Sequence, residues 1–263
     1  MKYHTLNRKE EEQAIIQILE TLLDNSVPFS GKHRRKQWEK GWGENLKSGD
    51  INPRYFGKYK VQRFNGKFVK GFSKDYERQM LYSIVDGLAK KYLSKAADIY
   101  EFGCGTGHNL LRIRKINPTA NLYGLDWVKS SQKIVNGMGM KSYKFDYFNP
   151  NYKIKLSPNS AVYTVASLEQ TGTNYKKFVE YILKNKPSIV VHIEPIPELL
   201  NPKKLVDYLS IKYMEKRKYL SGYLDYLRGL EKKKLLKILE ARRSGIGSMF
   251  IDGYSIIVWK PLK

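Results

Sequence analysis

The chain has 263 residues, 41% of them hydrophobic and 13% aromatic, which is enough to bury a sizeable core and excludes a disordered polar chain. One cysteine, Cys104, excludes a disulfide framework, no apolar run reaches the roughly 20 residues of a membrane span, and the opening MKYHTLNRKEEEQ lacks the apolar stretch of a secretory signal, so a cytoplasmic protein is expected. Lys and Arg outnumber Asp and Glu by 48 to 25, a formal charge of +23, yet the lysines are spread along the chain, so charge alone selects no partner.

Residues 1–95 read as an α+β cap. Asn7 with Glu10 has the spacing of a capping box, and Ile15, Ile18, Leu19 and Leu22 then share a helical face that Pro28 closes. Residues 30–57 are rich in Gly, Trp and cations and show no clean period. Asn65-Gly66 between two extended runs predicts a hairpin, because both residues tolerate positive φ. Ser73 can cap a helix with Met80, Leu81, Ile84, Leu88 and Tyr92 on one side.

From 96 to 263 the pattern becomes strand, turn, helix, repeated. Strands are predicted at 98–102, 121–125, 142–145, 161–165 and 188–193, with a clear helix at 174–184. A Tyr- and Lys-rich helical insertion spans about 202–234, and runs at 237–242 and 254–259 complete the sheet. Such alternation predicts an α/β fold: a doubly wound, mostly parallel seven-stranded sheet with helices on both faces.

The chemistry begins at DIYEFGCGTGHNLLRI, where a strand ends in Glu101 and Gly103, Gly105 and Gly107 follow at alternate positions. A dinucleotide turn needs G-x-G-x-x-G, and His108 stands where its third glycine belongs. An acid two residues before the first glycine is poorly placed for a pyrophosphate and suits a cationic ligand. E-F-G-C-G-T-G resembles the first motif of class I S-adenosylmethionine-dependent methyltransferases, E/D-x-G-x-G-x-G, at every specified position. The resemblance covers about two thirds of the chain and implies S-adenosylmethionine as cofactor, its methionine part wrapped by this loop. NLYGLDW places Asp126 at the next strand end, where an acid can accept from ribose hydroxyls, with Trp127 beside the adenine. In the family an acid in the position of Asp146 often binds the adenine amino group. The resemblance also brings Cys104, Asn109, Tyr147 and Ser167 close to the cofactor.

Motifs naming an acceptor are scarce. No [DNS]-P-P-[YFW] follows the fourth strand, and Cys104 in the loop is no cytosine-attacking nucleophile. Glu169, His192 and Glu194 near strand ends are the candidate bases for a hydroxyl, with a satisfied core histidine as the competing reading of His192. No spacing demands a metal. In KHRRKQWEKGWGENL, Arg34 and Arg35 can hold phosphate while Trp38 and Trp42 stack on a sugar or base, or simply anchor the cap. The layout loosely resembles bacterial methyltransferases acting on surface-polysaccharide sugars and other small molecules. A small-molecule O-methyltransferase acting on a sugar or phosphate-bearing glycoconjugate is therefore the leading expectation. An RNA or protein methyltransferase using Trp38, Trp42, Tyr55 and the basic surface is the second, and a non-catalytic binding module the third.

Overall fold

The structure is a computed structural model describing residues 2–262. The chain opens with β1 (Tyr3–Thr5) and α1 (Arg8–Leu23), the latter started by the Asn7–Glu10 capping box. A 3-10 turn at Lys32–Arg34 leads into α2 (Arg35–Ser48). The hairpin follows as β2 (Val61–Phe64) and β3 (Lys67–Gly71), with φ of 49° at Asn65 and 76° at Gly66. Next come α3 (Tyr76–Leu88), β4 (Asp98–Phe102), α4 (His108–Ile116), β5 (Asn121–Asp126), α5 (Lys129–Gly137) and β6 (Lys141–Lys144). The second half runs β7 (Ala161–Val165), α6 (Lys176–Asn185), β8 (Ile189–Glu194), α7 (Leu205–Arg217), α8 (Tyr223–Lys232), β9 (Leu236–Arg242), β10 (Ile246–Ser248) and β11 (Ser255–Pro261).

Seven strands form one sheet in the order β6-β5-β4-β7-β8-β11-β9. Neighbours from β6 to β8 pair in parallel, and β11 runs antiparallel to both β8 and β9. Side chains alternate across it. Tyr100, Phe102, Val190 and Trp259 pack with Phe178, Tyr181 and Leu227 from α6 and α8, while Ile99, Tyr163 and Val191 pack with Leu81, Val85 and Ile113 from α3 and α4. Covered on both faces, β7 and β8 are buried at every residue, as parallel strands tend to be. Strand order reverses at β4, which has β5 on one side and β7 on the other, and such a switch point opens a crevice at the strands' C-terminal ends.

The cap differs from the expectation in three ways. Its four-stranded antiparallel sheet, β1-β3-β2-β10, takes its last strand from residues 246–248, and α7 packs with Ile18 and Phe68. Meanwhile α3 belongs to the large sheet's core. The division at residue 95 is therefore crossed in both directions. Third, 35–48 is helical, and it lacks an apolar period because α2 buries little beyond Trp42 and Asn45. Its Glu39 caps α5, accepting from the backbone N–H groups of Lys129 at 2.7 Å and Ser130 at 3.0 Å, where a helix N-terminus favours negative charge.

Arg63 on β2 ties the cap to its distant strand. Its buried guanidinium donates to the carbonyls of Met249 (3.0 Å), Val206 (2.6 Å) and Phe250 (3.0 Å). Arg63→Met leaves those acceptors without donors, at about 1–3 kcal/mol for each one that stays dry. Urea denaturation should therefore show a loss of roughly 3 kcal/mol or more; a loss under about 0.5 kcal/mol, the size of an ordinary surface change, would contradict the role.

Candidate active site

The turn after β4 is shaped by what its glycines lack. Gly103, Gly105 and Gly107 all have left-handed φ, at 68°, 53° and 72°. A Cβ on Gly103 would stand 2.4 Å from Ser167 Cβ, and one on Gly105 would stand 2.8 Å from the Trp42 ring. These two line a cleft that opens to solvent, while Gly107 does not: its missing Cβ faces Met138 and Val135. Gly107 thus serves helix packing and is withdrawn as a ligand-facing residue. Cys104 lines the cavity, 3% exposed, with burial pushing its thiol well up and Sγ 3.4 Å from Ser131 Oγ.

The acids behind this turn are placed differently from one another. Asp126 lines the cavity, accepting from Gly105 N–H on Oδ2 at 3.0 Å and from Val128 N–H on Oδ1 at 3.2 Å. Burial raises it to about 6. Glu101 sits one layer back, accepting from Tyr163 OH at 2.8 Å and from Asn109 Nδ2 at 3.0 Å, and burial pushes it up to about 8. The residue presented to the cavity is Asn109, whose Oδ1 is buried without a partner. Asp146 is absent from the lining. It closes its own turn by accepting from Phe148 N–H at 2.9 Å, and its neighbours Phe145, Tyr147 and Phe148 do the lining. Trp127 and Phe148 form an aromatic wall, their centroids 6.1 Å apart and their planes at 26°.

Two of the three candidate bases lie outside both cavities. His192 is fully buried with both ring nitrogens engaged: Nδ1 with Thr164 Oγ1 at 2.9 Å, Nε2 with Tyr223 OH at 2.7 Å and Trp259 Nε1 at 3.0 Å. Burial holds its pKa near 3, so it is a neutral core residue and not a base. Glu194 is fully buried as well. Its carboxylate accepts the backbone N–H groups of Ser167, Leu168 and Glu169 at 3.0–3.1 Å, which makes it a brace for the turn after β7. That turn carries Ala166, at a left-handed φ of 45° that an alanine rarely adopts, and Ser167, whose Oγ meets Tyr147 OH at 3.0 Å.

A second cavity of about 530 Å³, open to solvent, adjoins the first beneath the cap, and Trp38, Trp42, Tyr55, Ala166 and Gln170 line both. Glu169 lines only the second, 9% exposed and raised by burial to about 8. Arg34 lines it too, whereas Arg35 points to solvent on the first turn of α2 and lines neither cavity. Trp38 and Trp42 stack at 5.5 Å and 27°, so they roof the cavities together. The glycine turn, Asp126, Ser167 and the two tryptophans are thus brought to one place; Glu101, Gly107, Asp146, Arg35, His192 and Glu194 are not in contact with the space.

Phe145, Phe148 and Gln170 line the first cavity, and Arg217, Tyr213 and Tyr219 the second, with no motif of their own in the sequence. Phe145 and Phe148 come close to Asp146 in the chain, and that is the one local signal pointing to them. Arg217 sits in a cation-rich helix with nothing to distinguish it locally.

No protein-family model and no curated protein matches the chain. Solved structures do. The plantazolicin methyltransferase BpumL, in complex with SAH, aligns at a TM-score of 0.53 and 12% identity over 95% of this chain and 100% of that one. The N-methyltransferase NodS from Bradyrhizobium japonicum WM9, also with S-adenosyl-l-homocysteine, aligns at 0.55 and 9% over 88% and 100%. The [4+2]-cyclase SpnF aligns at 0.57 and 14% over 90% and 98%. The chain therefore has the class I methyltransferase fold. Since that fold includes a cyclase, the reaction has to be argued from the site.

The buried carboxyls make stability depend on pH. Glu101 and Glu169 near 8, and Glu77 and Glu194 near 7, keep protons in the folded chain that ordinary carboxyls release near 4.5. The folded state then binds more protons, so stability falls as pH rises from about 4.5 through about 8. His108 and His192, lowered to about 3, act oppositely but only below about 6.5, where the unfolded imidazole is charged. Melting temperature should therefore drop from about pH 7 to about pH 9, and Glu101→Gln should flatten the drop. A wild-type profile flat over that range would contradict the protonated carboxyls.

Proposed function

We propose that the protein is an S-adenosylmethionine-dependent methyltransferase that modifies a hydroxyl of a small acceptor, in the class of sugars and phosphate-bearing glycoconjugates. The observation that carries this reading is the pair of cavities with one common wall. The first has the donor set that the cofactor requires, and the second lies beneath the cap and shares Trp38, Trp42, Tyr55, Ala166 and Gln170 with it.

Four features support the cofactor fit. Gly103 and Gly105 leave room for close approach to the backbone, where a Cβ would collide with Ser167 or Trp42. Asn109 Oδ1 is a buried acceptor free for an ammonium. Asp126 has lone pairs left for a vicinal diol after its two backbone bonds. Trp127 and Phe148 offer a flat apolar wall for a purine. Bound S-adenosylmethionine supplies a methyl group already activated by its sulfonium. The protein's remaining task is to align the acceptor and accept its proton.

Glu169 is the group for that proton. With its pKa near 8 it is a competent base only once ionised, so transfer to a hydroxyl should rise with pH through about 8. The second cavity mixes Glu44, Glu77 and Glu169 with its cations, which favours a small acceptor over RNA, whose backbone would need a uniformly basic groove.

A labelled methyl-transfer screen over sugar phosphates, polysaccharide fragments, total RNA and protein extract, with Asp126→Ala as the blank, tests this. Label is expected in the carbohydrate or small-molecule fraction only. Label in RNA would overturn the small acceptor, and no transfer to any fraction would count against methyl transfer itself. Glu169→Gln should lower the rate by about 10²-fold or more and remove the rise near pH 8; an unchanged pH profile would contradict its role.

A further inference from the structure

Arg34 and Arg217 both line the second cavity and lie within electrostatic reach of each other. They lie far apart in the chain, and Ser30 joins their segments: its N–H donates to the Arg217 carbonyl at 2.8 Å and its hydroxyl to the Lys218 carbonyl. Arg34 is 8% exposed, and its Nε and Nη1 are buried without a hydrogen-bond partner. Arg217 gives one N–H to Tyr213 OH at 3.3 Å, and its Nε is also buried and unpartnered. Among the described residues neither guanidinium is in an ion pair, whereas Arg243 is paired with both Asp207 and Asp252.

Every guanidinium nitrogen of buried Arg63 has a carbonyl partner. Arg34 and Arg217 lack such a set. Arg34 lies 5.8 Å from the Trp38 ring and Arg217 lies 5.1 Å from the Tyr219 ring, contacts that orient the planar groups and consume no N–H. Two cations side by side, partly desolvated, with donors unspent, are costly unless an anion meets them. The guanidinium fork matches the paired oxygens of a carboxylate or phosphate. Glu169, within electrostatic reach of both, is held largely protonated by burial at neutral pH and does not supply that charge.

We propose that Arg34 and Arg217 clamp an anionic group, a carboxylate or a phosphate monoester, carried by the acceptor that occupies the second cavity. The inference rests on reading that cavity as the acceptor site. It gives the acceptor a direction: the anionic end lies at the arginines and the reacting end toward the wall common to both cavities, at Ala166 and Gln170. Of the cations in the KHRRK segment, Arg34 alone has this role, and Arg35 stays in solvent.

The test titrates phenyl phosphate, benzoate and uncharged benzyl alcohol into the full chain at constant ionic strength, read by calorimetry. At least one anion should bind saturably, with benzyl alcohol weaker by about tenfold or more. Arg34→Gln and Arg217→Gln should each weaken the anion by a similar factor, and Arg217→Lys should recover part of it. Tighter phenyl phosphate assigns the clamp to phosphate esters, and tighter benzoate to carboxylates. Inorganic phosphate should displace the bound anion from the wild type, a readout independent of whether the variants fold. Equal binding of benzyl alcohol, no displacement, or affinities unmoved in correctly melting variants would overturn the clamp. S-adenosylhomocysteine is titrated separately: its failure to bind would count against the methyltransferase reading while leaving the anion result to stand or fall alone.

Discussion

The site depends on one buried carboxylate. Glu194, at the end of β8, takes the N–H groups of Ser167, Leu168 and Glu169 and so bends the chain back immediately after β7. Charge-assisted bonds of this kind are about twice as strong as neutral ones, and here they hold a non-glycine residue, Ala166, at positive φ. The bend sets Ser167 against Gly103, turns Glu169 into the second cavity and puts Gln170 at the boundary of both. Burial raises Glu194 to about 7, so near neutrality the brace is held partly as carboxylate and partly as carboxylic acid.

The large sheet and the cap divide the work. The sheet reverses order at β4 and opens the crevice, and the glycine turn lines it. The cap closes it, with Trp42 above Gly105 and Glu39 of α2 fastened to the start of α5. The second cavity is lined from both parts, by Trp38 and Trp42 of the cap and by Ala166 and Gln170 after β7. This is where proteins of one fold diverge in substrate.

Much of the fold was legible in the strands: 161–165, almost wholly apolar, coincides with β7, and 98–102, ending at the glycine-rich turn, coincides with β4. The hairpin and the first helix start were legible from turn and cap chemistry at Asn65-Gly66 and Asn7–Glu10. What failed was what depends on distant partners. Strand alternation puts His192 and Glu194 on one face, but it says nothing about Tyr223, Trp259 or the folded-back turn that saturates them. Helix α2 is a polar strap with little apolar period, and β10 is three residues that pair only because β2 has a free edge. The pairing of Arg34 with Arg217 is set by Ser30 and by α7, across most of the chain.

Calorimetric titration with S-adenosylhomocysteine tests most directly whether the glycine-turn cavity holds the adenosyl cofactor. One saturable site is expected on the wild type. That site should be lost in Gly103→Val, whose side chain must enter the space now filled by Ser167. No binding to the wild type, or equal binding to a Gly103→Val protein that melts as the wild type does, would contradict that placement.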